Sequence, residues 1–221
     1  NDIEKKITNK TKAILVVHIY GLPVDMNPVL AIAKKYNLKI IEDAAEMHGQ
    51  TYNGKKCGSF GDISIFSFYP NKHITTGEGG MVLTDDAELA EKCKYYRNLC
   101  FEPKRRFVHE ELGWNYRMTN MQAALGLAQL EQLERFVKRK SEMGKLYAAL
   151  LKDVPGLLQP LPSTAYSENI YWVYGLVVLP DSKKSIEVIL SELSKKEIGT
   201  RPFFWCMHEQ PVFIKKGWYG N

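Results

Sequence analysis

The chain has 221 residues, 45% of them hydrophobic and 25% charged, with a formal net charge of +5. That is a globular composition, and it excludes disordered and fibrous classes. No apolar run is long enough to cross a bilayer, the opening residues carry no signal-peptide pattern, and the basic residues are scattered rather than striped.

Ala13-Ile-Leu-Val-Val-His-Ile19 is a continuous apolar run, as expected of a buried strand. It breaks at Tyr20-Gly-Leu-Pro23, and Asn27 to Tyr36 then has helical spacing, with Pro28 favourable in the first turn. Leu38 to Glu42 reads as a second strand ending at Asp43, Asp62 to Ser67 as a third, and Gly80 to Thr84 as a fourth. An acidic helix start follows at Asp85-Asp86. Strands alternating with helices imply a sheet with parallel pairs and helical cover. From Thr119 the apolar spacing of Met121, Ala124, Leu125, Leu127, Ala128, Leu130 and Leu133 predicts one long helix to about Leu151, stopped by Asp153-Val-Pro-Gly156. Tyr171 to Leu179 is strand-like, Ser185 to Lys196 helical, and Gly199 to Trp205 extended. The expected division is therefore residues 1–120, a connecting helix over 121–152, and a smaller α+β unit over 153–221.

Cys57, Cys93, Cys100 and Cys206 show no C-x-x-C pairing, so neither a zinc site nor a disulfide framework is suggested, and a reducing cytoplasm suits them. No metal ligand set is expected. The basic cluster Lys104-Arg105-Arg106 lacks interleaved aromatics and reads as a solvated loop, so no nucleic acid and no membrane is expected as a partner.

The chemistry concentrates in Ser67-Phe-Tyr-Pro-Asn-Lys72-His-Ile-Thr-Thr-Gly-Glu-Gly-Gly80. A solvated lysine has a pKa of about 10.4 and is inert as a nucleophile. Burial or a neighbouring cation lowers that value, and the free amine then attacks carbonyl carbon. Lys72, between an apolar run and a glycine-rich turn, is placed for this, although most lysines are merely solvated. Asp43 ends an apolar strand, where the carboxyl ends of an α/β sheet line the ligand crevice. A carboxylate there can hold a protonated ring nitrogen; equally, Asp is a common helix N-cap. Ser67, five positions before Lys72, offers a hydroxyl to a phosphate, and Gly77, Gly79 and Gly80 allow close backbone approach.

His18-Ile-Tyr-Gly21, Glu42-Asp-Ala-Ala-Glu46, Gly58-Ser-Phe-Gly-Asp62, Ser67 to Gly80, Gly113-Trp-Asn-Tyr-Arg-Met-Thr119 and Arg201-Pro-Phe-Phe204 occur in this order along almost the whole chain. In them the sequence resembles the DegT/DnrJ/EryC1/StrS sugar aminotransferases, pyridoxal 5'-phosphate enzymes acting on nucleotide-linked keto sugars. The resemblance implies an α/β fold of the aspartate-aminotransferase type (fold type I), with 1–120 as the C-terminal portion of the large mixed-sheet domain and 153–221 as part of the small domain. It implies transfer of an amino group, with glutamate as donor, to a nucleotide-linked 4-keto-6-deoxy sugar. It also implies a homodimer with shared active sites.

Residue by residue, Lys72 matches the Schiff-base lysine that also shuttles the proton, and Asp43 matches the partner of the pyridine nitrogen. Glu46 matches the position near the ring hydroxyl, and Ser67 a phosphate-binding serine. Asn115 matches an asparagine sent to the neighbouring subunit's cofactor phosphate. His18, Arg117 and Arg201 fall in family motifs and are equally readable as substrate contacts or structural residues. A dehydratase branch carries histidine in place of the lysine; here Lys72 holds that position and His73 follows it, as a packing or substrate-side residue. A primary amine is needed for the Schiff base, so the resemblance favours transfer over dehydration. Family members are longer, residue 1 is Asn rather than Met, and Gly217 to Asn221 carry no end signal, so a piece of a longer chain is expected. A truncated, non-catalytic remnant is the third reading.

Overall fold

The computed structural model describes residues 2–102, 104–105 and 107–219. Arg106 of the basic cluster, Asn1 and the last two residues of the C-terminal stretch lie outside these. The chain divides into two compact units, one of residues up to Lys152 with Leu161–Tyr174, the other of Asp153–Pro160 with the residues from Gly175 on.

In the first unit a short helix, α1 (Ile3–Lys6), precedes strand β1 (Ala13–Val17), helix α2 (Met26–Tyr36) and strand β2 (Lys39–Asp43). Two small ribbon strands follow, β3 (Thr51–Tyr52) and β4 (Lys55–Lys56), then β5 (Ile63–Ser67), β6 (Gly80–Leu83) and helix α3 (Ala87–Arg97). The sheet order is β1-β2-β5-β6. β1, β2 and β5 run parallel, with Val17 opposite Asp43 and Asp43 opposite Ile65. β6 returns antiparallel, placing Gly80 opposite Ser67. The carboxyl ends of three parallel strands therefore lie together, and Asp43 and Ser67 are both terminal residues there.

The core forms where α2 covers the sheet. Val16, Met26, Val29, Ala33, Ile40, Ala44 and Met47 are buried together with Tyr52 and Cys57. The fully apolar side of α2 repeats at three- and four-residue intervals, as a helix lying on a sheet requires. Asn37 ends α2 in the left-handed conformation, which Asn tolerates better than most residues.

The long helical stretch is two helices, α4 (Asn120–Leu130) and α5 (Leu133–Leu151), interrupted at Glu131-Gln132. α4 begins with a capping box, Thr119 and Gln122 each bonding the other's backbone. α5 lies against the Tyr171 ring through Gly144, where an added Cβ would meet that ring at 2.4 Å.

The second unit has a two-stranded ribbon, β7 (Leu157–Leu158) with β8 (Val177–Val178), and helix α6 (Ile186–Lys195) capped by Ser185. A 3-10 turn (Met207–Glu209) and a short helix, α7 (Pro211–Lys215), follow. The strand expected over 171–179 is thus only two residues, because Asn169–Tyr174 is used to build the wall of the site in the first unit.

Candidate active site

The loop carrying Lys72 leaves β5 at Ser67 and returns in β6 at Gly80. Its neck is pinned by backbone bonds from Phe68 N–H to the Gly79 carbonyl (2.9 Å) and from Thr76 N–H to the Phe68 carbonyl (3.0 Å). At its tip, Lys72 N–H bonds the Tyr69 carbonyl at 3.0 Å, closing a tight turn over Pro70-Asn71. Helix α4 clamps the other side: the Gln129 amide accepts from Thr75 N–H (3.1 Å) and donates to the Thr75 carbonyl (2.9 Å). The glycines serve this loop unequally. Gly77, at φ +81°, has open space around it and supplies only the turn, whereas a Cβ on Gly79 would meet the Thr76 hydroxyl at 2.5 Å.

This loop holds the Lys72 side chain at 10% exposure, with Nζ 3.8 Å from Glu46 Oε1. Burial pushes the amine below the ordinary lysine range, while the Glu46 and Asp43 carboxylates pull it back up. Burial pushes the Glu46 carboxyl up, opposed by the Tyr20 N–H, which donates to Oε2 at 2.6 Å, and by Lys72. Asp43 Oδ1 accepts from Ala45 N–H at 3.0 Å; no helix begins there, so Asp43 closes a turn and caps nothing. Ser67 Oγ accepts from Tyr69 N–H at 3.3 Å. Lys72, Glu46 and Asp43 thus interact at the carboxyl end of the parallel strands, with Ser67 at the next strand's end.

The other expected residues go elsewhere. His18 is 1% exposed, and both ring nitrogens are engaged by protein groups. Its Nδ1 accepts from Val24 N–H at 3.0 Å, so its Nε2–H donates to Glu42 Oε1, also at 3.0 Å. The geometry gives it a structural place rather than a substrate-facing one. His73 is also buried, with Nε2 3.3 Å from the Ile170 carbonyl. Asn115 and Arg117 form an exposed group of their own. Arg117 Nε donates to Asn115 Oδ1 (3.1 Å) and Arg117 Nη1 to Asn98 Oδ1 (3.0 Å). Arg201 is exposed in the second unit and donates to the Thr200 carbonyl.

Three further residues were not singled out in the sequence. Trp172 lies with its ring centroid 3.9 Å from Lys72 Nζ. His48 is buried against Phe66, Phe68 and His73. Glu42, the neighbour of Asp43, accepts from His18, from the N–H groups of Gly58, Phe60 and Gly61, and from Ser64 Oγ. Those bonds outweigh burial and hold its carboxyl down at about 2. His18, Glu42 and Cys57 have ligand atoms close enough for a metal, but Glu42 is filled by protein donors and burial pushes the Cys57 thiol up to about 12. That is the chemistry of a structural hub. A separate open groove of about 900 Å3, lined by Leu38, Ile40, Asp62 and Asp86 among others, lies toward the amino ends of β2 and β5 and contains none of the lysine's partners.

A buried lysine, two carboxylates and a serine thus stand at the carboxyl edge of parallel strands. The model of the DegT/DnrJ/EryC1/StrS aminotransferase family matches residues 1–220. The chain belongs to that family. It is similar to the GDP-perosamine synthase of Escherichia coli O157:H7, at 44% identity over 216 residues. That match covers 98% of this chain and 58% of the synthase. Among solved structures it is similar to the Helicobacter pylori aminotransferase PseC, involved in the biosynthesis of pseudoaminic acid. There the TM-score is 0.91 at 29% identity, over 99% of this chain and 59% of PseC. An E. coli GDP-4-keto-6-deoxy-D-mannose-3-dehydratase with bound hydrated pyridoxal phosphate is also similar, with a TM-score of 0.85, 25% identity and coverage of 97% and 59%. This chain therefore spans somewhat more than half the length of the family members it matches. Its first unit, a mixed sheet with helical cover, has the type I fold of pyridoxal-phosphate transferases.

Proposed function

We propose that this chain carries the lysine half of the active site of a pyridoxal-phosphate-dependent aminotransferase. The amino group would move from an amino acid, L-glutamate, to a nucleotide-linked 4-keto-6-deoxy sugar, as in a perosamine synthase. The observation that carries the reading is Lys72 Nζ, buried and only 3.8 Å from Glu46, at the strand ends where Asp43 also acts on it.

The residues present fit the cofactor. Its aldehyde needs a primary amine that loses its proton readily, and burial lowers the proton affinity of Lys72. Its pyridine nitrogen needs a carboxylate, and Asp43 stands at the end of β2. Its phosphate needs donors, and Ser67 Oγ stands at the end of β5. When bound, the cofactor supplies an electron sink for the carbanion at the reacting carbon.

Lys72 Nζ would hold the aldehyde, its oxygen leaving as water, and the same amine, when free, would take the donor's α-proton and return it. That is general acid–base work suited to a lysine whose proton is held weakly. Asp43 would hold the protonated ring nitrogen, and Glu46 would face the ring hydroxyl. We further propose that Asn115, exposed beside Trp114 and Tyr116, reaches the site of a second copy in a homodimer; Arg117, Arg201 and His73 are the substrate-side candidates. No helix among the described residues is long and apolar enough to cross a membrane. The reading places the enzyme in the cytoplasm, where its free cysteines stay reduced.

The test is to incubate the protein with pyridoxal phosphate, reduce with borohydride and map the adduct by mass spectrometry. The adduct is expected on Lys72 and absent in Lys72→Ala; an adduct elsewhere, or none, overturns the reading. Product analysis then separates transfer from dehydration. Transfer converts glutamate to 2-oxoglutarate in amounts equal to the aminated sugar, whereas the dehydratase reading predicts loss of a hydroxyl without that stoichiometry.

A further inference from the structure

Besides the Asp43 carboxylate, Lys72 Nζ has two close neighbours, a carboxylate and an aromatic ring. The Trp172 ring centroid is 3.9 Å away on one side and Glu46 Oε1 is 3.8 Å away. Trp172 is 4% exposed and is fixed from several directions. Its indole N–H donates to the carbonyl of Asn71, the residue before the lysine, at 2.9 Å. Its ring stacks on Tyr20, with centroids 6.0 Å apart and planes inclined by 23°. The Tyr20 N–H in turn donates to Glu46 at 2.6 Å. These contacts form a closed circuit: Lys72, Trp172, Tyr20, Glu46 and back to Lys72.

The backbone is shaped to bring this about. Gly21, at φ +99°, lets the Ile19–Leu22 turn press against the 169–172 segment; a Cβ there would meet Tyr171 N at 2.6 Å and Trp172 N at 2.9 Å. Asn169 Oδ1 holds Tyr171 N–H at 2.7 Å, and the Trp172 carbonyl accepts from Lys140 Nζ at 3.1 Å. So much fixation of one ring, 100 positions away from the residue it faces, calls for a reason beyond packing.

We propose that Trp172 and Glu46 form a seat for the Lys72 ammonium, and that Trp172 is a positioning residue for the reactive lysine. An ammonium over an indole face is attracted by the ring quadrupole, most strongly where water is excluded. A second carboxylate in that place would bind the proton more tightly and trap it. The ring instead favours the charged form by roughly a tenfold factor in proton affinity, about one pH unit. It therefore holds the side chain in place and still lets the proton leave. The consequence for catalysis rests on the reading of Lys72 given above: a lysine released during the reaction would stay beside the reacting carbon instead of swinging into solvent. The seat itself is testable without cofactor.

The experiment is competitive acylation of lysines in the cofactor-free protein as a function of pH, read peptide by peptide by mass spectrometry, for the wild type, Trp172→Phe and Trp172→Leu. Exposed Lys10 is the reference. The reactivity midpoint of Lys72 should fall in the order Trp, Phe, Leu, by about one pH unit overall, with Lys10 unchanged. General loosening of the wall has the opposite sign. It rehydrates the amine, moves the Lys72 midpoint up, and carries Lys140 with it, because burial also pushes Lys140 down. A rise at both lysines, or no shift at Lys72, overturns the seat; should the leucine variant fail to fold, the Trp-to-Phe step decides in the same way. The adduct-mapping arm described above tests Lys72 as the cofactor lysine, so either idea can fail without the other.

Discussion

His48 and His73 lie ring against ring, 6.3 Å between centroids, buried next to the Lys72 turn. Neither His48 nitrogen, nor Nδ1 of His73, has a hydrogen-bond partner among the described residues. Charging either ring there would strand a cation, and burial holds both at about 4. For His48 the charges of His73 and Lys72 add to that, against the Ser67 backbone, which is near but outside hydrogen-bond geometry; for His73 those of Lys140 and Lys72 do, against the Ile170 carbonyl.

The sign of the pH dependence follows. Unfolded histidine binds its proton near pH 6.5, so between about 6.5 and 4 the unfolded chain holds more protons than the folded one. Stability from this pair is complete above about pH 6.5 and is lost as pH falls toward 4. Each ring contributes on the order of 3 kcal/mol at most. Denaturant midpoints measured from pH 8 to 4 should show the loss. His48→Leu, which keeps the contact with Phe66 and Phe68, should remove about half the slope; an unchanged slope would exclude the pair as its source.

Glu42 acts in a different window. Its carboxylate ties His18, the 58–61 turn and Ser64 to the strand that ends in Asp43. Held at about 2, it contributes stability that is present in full above about pH 4.5 and is lost progressively as pH falls from there through about 2. Glu42→Gln keeps the shape but turns an NH2 group toward donors. The expected loss is about 3–5 kcal/mol near neutral pH, visible as a lowered Tm; a change under 1 kcal/mol would mean the hub is dispensable.

Gly144 tests the packing under Trp172. In a helix interior Ala is favoured over Gly by about 1 kcal/mol, so an exposed Gly→Ala change stabilises. Here the new Cβ would enter the Tyr171 ring, at 2.4 Å, in a buried contact. Overpacking costs about 1–3 kcal/mol, so Gly144→Ala should be net destabilising in urea melts. A stabilised variant would show that Tyr171 yields freely.

Much of this architecture was legible in the chain. Apolar segments gave β1 and β2 to within two residues, and the apolar spacing from Thr119 gave the start of α4. The break at Glu131-Gln132 was not legible, because the apolar spacing runs through it. Asp43 and Ser67 were readable as strand-end residues and Lys72 as a turn residue, since strand ends and turns are local. His18 was readable either way, because a buried histidine and a substrate-facing one look alike until the partners of both nitrogens are known. Trp172 was invisible for a different reason. Its meaning comes from a contact spanning 100 positions, which no local pattern encodes.

Glu46 gives the last prediction, because its effect on Lys72 is opposite to that of burial. Its carboxylate, 3.8 Å from Nζ, favours the ammonium and so raises the amine's proton affinity against desolvation. Glu46→Gln removes the charge and keeps an acceptor for the Tyr20 N–H. With an effective dielectric of about 20, the lost attraction lowers the Lys72 midpoint by about one to two pH units, after solvent takes up part of it. The lysine-labelling titration reads this directly in the cofactor-free protein. A midpoint that falls identifies Glu46 as the group that keeps Lys72 charged at rest. A midpoint that rises would mean that the carboxyl is protonated beside the amine and acts on it as a hydrogen-bonding neighbour instead.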